Sequence, residues 1–299
     1  MEYMQNSLLG IDWGTSNRRA YLIEGAGSCL KQHADGQGLL AVNGDFAASL
    51  AALRSSMGVD ETVPVLMSGM VGSASGWQEV AYLDISVPLE ALPAHLVAVA
   101  GHPNCLIVPG YSTQDDGVDV MRGEETQLLG AVALGMRDGW MVLPGTHSKW
   151  VYLHDGRIDQ MSTYMTGEFF AMLGKGGTLS ALMANGPDDD AAFAAGMAQA
   201  RLGQPLTHSL FGVRARVVTK SMPAAQARSF VSGLLIGTEF VAAQGRKGSS
   251  QHNNTLHIIA SHALSARYAE AATQFGMDAK VLDPDQVYLA ALKHFFPKG

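Results

Sequence analysis

Apolar residues fall along the chain in short runs, each closed by small or polar residues. The first, Leu8-Leu9-Gly10-Ile11, ends on Asp12 and breaks into Trp13-Gly14-Thr15-Ser16-Asn17-Arg18. Tyr21-Leu22-Ile23 then reads as a second strand, and Glu24-Gly25-Ala26-Gly27-Ser28 as a hairpin. Residues 46–54, rich in Ala and Leu, predict a helix, and Val63–Met67 a strand that opens into the glycine-rich loop Ser68-Gly69-Met70-Val71-Gly72-Ser73-Ala74-Ser75-Gly76-Trp77. Further strands are predicted at Cys105–Val108, Trp140–Leu143, Trp150–Leu153, Leu256–Ala260 and Ala279–Leu282. Helices are predicted over 122–136, within 166–182, and over 191–202, 230–244, 264–275 and 286–296. Asp188-Asp189-Asp190 reads as a helix cap. The polar run from Ser112 to Asp119 reads as the exit from a first lobe, dividing 1–115 from 116–299.

Composition narrows the classes. At 299 residues the chain is long enough for two lobes, and its 47% hydrophobic and 16% charged residues describe a well-packed globule. No stretch approaches the roughly 18 uninterrupted apolar residues of a membrane helix. Met1–Asn6 lacks the basic start of a secretory signal. A net charge of -7 without a basic tract argues against a nucleic-acid partner. Cys29 and Cys105, the two cysteines, fit a reduced cytoplasm better than a disulfide scaffold. His252, His257 and His262 are five apart, which scatters them over both faces of a strand, so they are not read as metal ligands.

The turn after Asp12 offers a carboxylate, a glycine that admits close approach, and hydroxyl and amide donors. Taken alone it is as much an ordinary hairpin as a phosphate site. A second turn repeats its plan. Trp140-Met141-Val142-Leu143 breaks into Pro144-Gly145-Thr146-His147-Ser148-Lys149 and resumes as Trp150-Val151-Tyr152-Leu153. The repetition favours a phosphate site, and the chain lacks the motifs of other nucleotide-binding and hydrolytic folds. There is no G-x-x-x-x-G-K-[ST], no G-x-G-x-x-G, no G-x-S-x-G and no H-E-x-x-H.

Two such turns resemble those of the actin, sugar kinase and Hsp70 ATPase superfold. The segments Ile11–Arg18, Ser68–Gly72 with Gly76-Trp77, Met121-Arg122-Gly123-Glu124-Glu125-Thr126-Gln127, Pro144–Trp150 and Ser232–Gly237 together look like the 2-dehydro-3-deoxygalactonokinase family, nearly end to end. The resemblance implies an α/β, two-lobed ribonuclease H-like fold with a central nucleotide and substrate cleft. It leaves open whether the last helix returns to the N-terminal lobe. It further implies an ATP- and Mg²⁺-dependent cytoplasmic kinase acting on a small sugar acid, without membrane or nucleic-acid partner and compatible with a homodimer.

By the same resemblance Asp12 holds the metal, and Gly14, Thr15, Ser16, Asn17, Arg18, Gly145, Thr146, His147 and Ser148 serve the nucleotide, with Gly233 and Gly237 close to it. Lys149 or Arg18 meets developing charge. Glu124 is expected to be the base, with Asp119 as the runner-up. Arg122 is expected to face the substrate carboxylate, with Ser68, Gly69, Met70, Gly72 and Trp77 shaping the acid pocket. Two departures stand out: Ala260-Ser261-His262-Ala263 replaces a glycine-rich base turn, and Ser75 carries no charge. Rivals are another sugar-acid kinase and a non-kinase ATPase that works as a clamp or activator for a protein. A sugar-sensing regulator would need an appended DNA-binding segment, which is not seen.

Overall fold

The structure, a computed structural model, describes residues 7–25, 27–114, 117–183, 186–245 and 254–296. Met1–Asn6, Ala26, the centre of the polar run at 115–116 and His252 lie outside the described residues. The chain forms two compact units. One comprises Met1–Asp138, Tyr152–Met161 and Asp283–Gly299; the other comprises Gly139–Val151 and Ser162–Leu282. The division therefore falls at Asp138/Gly139, where the sequence pattern placed it after residue 115.

In the first unit, β1 (Ser7–Trp13), β2 (Arg18–Glu24) and β3 (Ser28–Asp35) form an antiparallel meander. Helices α1 (Leu39–Val42) and α2 (Phe46–Met57) follow, then β4 (Val65–Gly69), β5 (Leu83–Asp84), β6 (Val97–Val99) and β7 (His102–Ile107). The sheet order is β3-β2-β1-β4-β7-β6, with β1, β4 and β7 mutually parallel. Central strands covered on both faces read as near-continuous apolar runs, which is what Leu8–Ile11 and Val65–Met67 supply. Asp45 caps α2 by accepting the Ala48 N–H (3.0 Å), and Phe46, Leu50 and Leu53 pack with Trp13, Val65, Met67 and Ile107 in one core. The segment expected to leave this lobe stays in it. There, β8 (Tyr111–Thr113) and β9 (Asp119–Met121) pair with each other, and β8 also with β5, in a small second sheet. Next comes α3 (Glu124–Ala133), against which the last helix, α10, packs.

The second large sheet repeats the plan of the first. β10 (Gly139–Leu143), β11 (Ser148–His154) and β12 (Arg157–Tyr164) are followed by α4 (Thr166–Lys175), α5 (Ser180–Met183), α6 (Asp190–Arg201), α7 (Leu206–Val218) and α8 (Ala227–Gln244). Then come β13 (Thr255–Ile259), α9 (His262–Gln274) and β14 (Asp278–Leu282), while α10 (Pro284–Phe295) belongs to the first unit. The order β12-β11-β10-β13-β14 matches β3-β2-β1-β4-β7, and β13 is parallel to both of its neighbours. Asp189 caps α6 by accepting the Ala192 N–H, as the aspartate run predicts. Helix α7 was not anticipated. Its buried residues, Ser209, Leu210 and Val213, make too narrow a stripe to show as an amphipathic period. Among the described residues no helix is long and apolar enough to cross a membrane.

Candidate functional site

In the first unit, β1 and β4 run side by side with Asp12 opposite Ser68 and Trp13 opposite Gly69. Both strands thus deliver their loops to one edge of the sheet, the edge where open α/β sheets bind ligands. The turn after β1 is closed by the Gly14 N–H on the Asn17 carbonyl (2.9 Å) and braced from α1, whose Leu39 and Leu40 amides donate to Gly14 and Thr15 (3.0 and 3.1 Å). Thr15, Ser16 and Asn17 are exposed, so their donors face outward. Arg18 does not. It is 3% exposed, paired with Asp35 (2.6 Å) and bonded to Ser49 Oγ (2.9 Å), which makes it a strut between β2, β3 and α2 and corrects the nucleotide role expected of it.

The cation beside the turn is Arg19. Its Nη2 donates to Asp12 Oδ2 (2.6 Å) and its Nη1 to Asp285 Oδ1 on α10 (3.3 Å). Asp285 also accepts from Tyr21 (2.7 Å) and Gln32 (2.7 Å). Burial works to raise its carboxyl, but the bonds from Tyr21, Gln32 and Arg19 outweigh that and hold it below the usual carboxylate range. Among the described residues Asp12 Oδ1 has no hydrogen-bond partner, and no three metal-ligating side chains cluster anywhere.

Gly69 (φ +89°) lies between Trp13 and Gly123 (φ +110°), in a region of backbone conformation that favours glycine. A Cβ on Gly123 would come within 3.2 Å of the Gly69 Cα, so the start of α3 is brought against the end of β4, next to Asp12's strand. Glu124 is half-buried there and its Oε2 accepts the Arg122 N–H (3.2 Å). Glu125 is fully buried and accepts the Gly123 N–H (2.6 Å). Burial, and then the charge of Glu124, push its carboxyl up to about 8. Asp119, on β9, accepts its neighbour's N–H, that of Val120 (2.7 Å).

Arg122 Nη2 donates to the Val80 carbonyl (2.6 Å), and the guanidinium lies 4.2 Å over the Tyr82 ring. Among the described residues its Nε and Nη1 are buried without an acceptor, and the missing Cβ of Gly72 leaves room for Nη1. Ser68 and Trp77 face elsewhere. The Ser68 hydroxyl is fully buried and bonded to Tyr288 (3.0 Å), and Trp77 stacks on Phe46 and leans on His102. Both anchor the 68–77 loop, which replaces the pocket-lining role expected of them. A groove of about 490 Å³ beside Trp77, with Leu50, Arg54 and Cys105, lies at the N-terminal end of β7, the opposite sheet edge from Asp12.

In the second unit the turn after β10 leaves Gly145, Thr146 and His147 exposed. The start of α4 lies directly on it. The Glu168 N–H donates to the Thr146 carbonyl (2.9 Å), Glu168 Oε2 meets His147 Nε2 (2.7 Å), and a Cβ on Gly167 would collide with the Gly145 carbonyl. A helix N-terminus beside a glycine turn suits an anion.

Ser148 and Lys149 turn inward. Ser148 Oγ donates to Glu239 (2.8 Å) and Lys149 Nζ to Thr163 (2.8 Å), so neither side chain reaches the turn's outer surface, contrary to expectation. Gly233 and Gly237 are also corrected. Side chains there would strike Phe193 and Met197 of α6, so they seat one helix on another and have no free face for a nucleotide. Arg19, Asp285 and Glu239 escaped the sequence reading, and Glu125 enters it only beside Glu124 in the segment Met121–Gln127. Only Glu239 carries a signal, as the lone acid in the apolar stretch 230–243.

Twin sheets of one strand order, each headed by a glycine-and-hydroxyl turn, define the ribonuclease H-like fold of actin-like ATPases and sugar kinases. A xylulose kinase from Lactobacillus acidophilus superposes with TM-score 0.51 at 10% identity, covering 96% of this chain and 88% of that one, which is a likeness of fold alone. The chain belongs to the 2-keto-3-deoxy-galactonokinase family, which it matches over residues 12–295. It is 36% identical over 286 residues to the 2-dehydro-3-deoxygalactonokinase of Escherichia coli K12, covering 95% of this chain and 96% of the relative. A Sinorhizobium meliloti protein described as a 2-dehydro-3-deoxygalactonokinase superposes with TM-score 0.86 at 30% identity over 97% of this chain and 95% of that one.

Proposed function

We propose that this protein transfers the γ-phosphoryl group of ATP to the terminal hydroxyl of 2-dehydro-3-deoxy-D-galactonate, giving the 6-phosphate, in the cytoplasmic breakdown of galactonate. The observation that carries this reading is the repeated strand–turn–strand at the head of two sheets that share a five-strand order, in a chain that belongs to the family. Phosphoryl transfer asks a protein for positioning and for neutralisation of charge more than for covalent chemistry. Thr15, Ser16 and Asn17 in one turn, and Gly145, Thr146 and His147 in the other, are the phosphate donors, and Gly14, whose N–H closes the first turn on Asn17, lets the backbone approach the phosphates closely.

Asp12 fits a magnesium ion that arrives with the nucleotide. Magnesium is commonly held by one or two carboxylates plus phosphate and water, and Asp12 keeps one oxygen unbonded among the described residues, beside an outward-facing donor turn. When bound, the ion supplies neutralisation of phosphate charge. Glu124 takes the proton from the attacking hydroxyl; its position at the start of α3, abutting Gly69, places it near the end of Asp12's strand. Arg122 reads the substrate carboxylate, supported by its two buried nitrogens without acceptors, since such donors need a partner.

A coupled ATP assay across a panel of 2-keto-3-deoxy sugar acids tests the proposal. Highest kcat/KM with 2-dehydro-3-deoxy-D-galactonate, and phosphate on its terminal oxygen, is the expected result. Preference for another acid overturns the substrate. ATP turnover that responds to a protein and to no acid overturns the kinase.

A further inference from the structure

We infer that Glu239 is a positioning residue that sets the second turn, Gly145–His147, for the nucleotide phosphates. This rests on the reading of that turn as a phosphate site.

Glu239 lies on α8, 1% exposed, among apolar neighbours. A carboxyl in such a place is costly unless hydrogen bonds surround it. Three of its four side-chain partners come from elements that flank the turn. Ser148 Oγ (2.8 Å) and Trp150 Nε1 (2.6 Å) donate to Oε2 from the first residues of β11, immediately after the turn. The Tyr268 hydroxyl donates to Oε1 (2.8 Å) from α9 and also lies 3.2 Å from Ser148 Oγ. Thr166, the first residue of α4, is a fourth side-chain partner. Its neighbours Gly167 and Glu168 are the residues pressed against Gly145 and bonded to Thr146. One carboxyl therefore holds both the strand that leaves the turn and the helix end that backs it.

Geometry argues for an acceptor-only group. Serine, tryptophan and tyrosine all present donors, and an ionised carboxylate can accept each of them. Glutamine keeps the volume but turns an N–H toward one of these groups, where Trp150 cannot accept it and Ser148 or Tyr268 must reverse its hydroxyl to do so. The network is then rearranged and the turn is held less firmly from β11 or from α4. Misplacement of a positioning element by about 1 Å can cost 10²-fold in rate.

Steady-state kinetics of Glu239→Gln test the inference, with calorimetric titration of ADP as a second readout and thermal unfolding as a control. The expected result is an ATP KM raised about tenfold or more and ADP binding weakened to match, with the sugar-acid KM unchanged. Tyr268→Phe, which removes one donor and keeps the ring, is expected to move the ATP KM the same way by a smaller factor, and it decides the matter if Glu239→Gln does not fold. Unchanged ATP KM and ADP affinity in the folded variant, or equal changes in both substrates' KM, overturn it. Gly167→Ala separates this inference from the reading beneath it. Its Cβ pushes directly on the Gly145 carbonyl, so ATP KM must rise if the turn binds phosphate. No rise in Gly167→Ala overturns the phosphate reading and the inference with it; a rise there without one in Glu239→Gln overturns the inference alone.

Discussion

The two turns share a plan and differ in what their acids do. Asp12 stands at the end of β1, part exposed, one oxygen on Arg19 and the other unbonded among the described residues. The second turn has Leu143 and Pro144 before its glycine, and its acid, Glu239, comes from a helix 89 positions after Trp150 to lie underneath. The cations that follow the two turns, Arg18 and Lys149, look equivalent in sequence and are equivalent in structure. Each is buried and tied to its own unit, Arg18 by Asp35 and Lys149 by Thr163. The duplicated scaffold thus braces both turns and sets the acid of each in a different place. In the proposed reading the first turn offers its carboxylate to the metal, whereas the carboxylate of the second lies beneath it and accepts from Ser148 and Trp150.

This contrast can be broken by substitution. Asp12→Asn should lower kcat by about 10³-fold with the fold intact, because charge stabilisation of the transferring group is a large catalytic contribution; a loss under tenfold would remove Asp12 from the metal. Glu124→Gln should lower turnover by about 10², the usual scale of a general base, and near-wild-type kcat would return the role to Asp119 or to another group. Arg122→Ala should raise the sugar-acid KM about 10- to 100-fold, as loss of a charged hydrogen-bonding partner does, and leave the ATP KM alone.

Two further changes should leave the chemistry alone and alter stability. Gly233→Ala drives a methyl into Phe193 and should cost about 1–3 kcal/mol in unfolding free energy, with the ATP KM unchanged if the glycine only seats α8 on α6. The last effect, which depends on pH, concerns Glu125. Its folded carboxyl titrates at about 8, far above its ordinary value of 4.5, so between those pH values the folded state keeps a proton that the unfolded state releases. Stability falls as pH rises through that window. Glu125→Gln removes the dependence, so the variant should gain on the wild type by about 1 kcal/mol per pH unit from pH 5 toward pH 8 in parallel denaturation curves. A constant difference would show that Glu125 is ionised in the fold.

Much of the architecture was legible. Strands ending in glycine and hydroxyl residues announced both turns, and the aspartates at 188–190 announced a cap, because these signals act over a few residues. The site was legible as positions and less so as roles. Ser148 follows its turn as Asn17 follows the first, yet one hydroxyl is buried on Glu239 and the other side chain is exposed. Gly233 and Gly237 matched a family segment, but a pair of glycines four apart suits a ring or a neighbouring helix equally, and only packing distinguishes them.

The sequence by itself determined where strands stop, which turns carry donors, and which family the chain resembles, since backbone propensity and short motifs are local properties. Only the tertiary structure decided which polar groups are engaged and which remain available. Arg19 finds Asp285 after 266 residues, Ser68 finds Tyr288 after 220, and Ser148 finds Glu239 after 91. A buried donor must be matched wherever the fold brings an acceptor, and that acceptor's distance along the chain is set by topology, which no local pattern records.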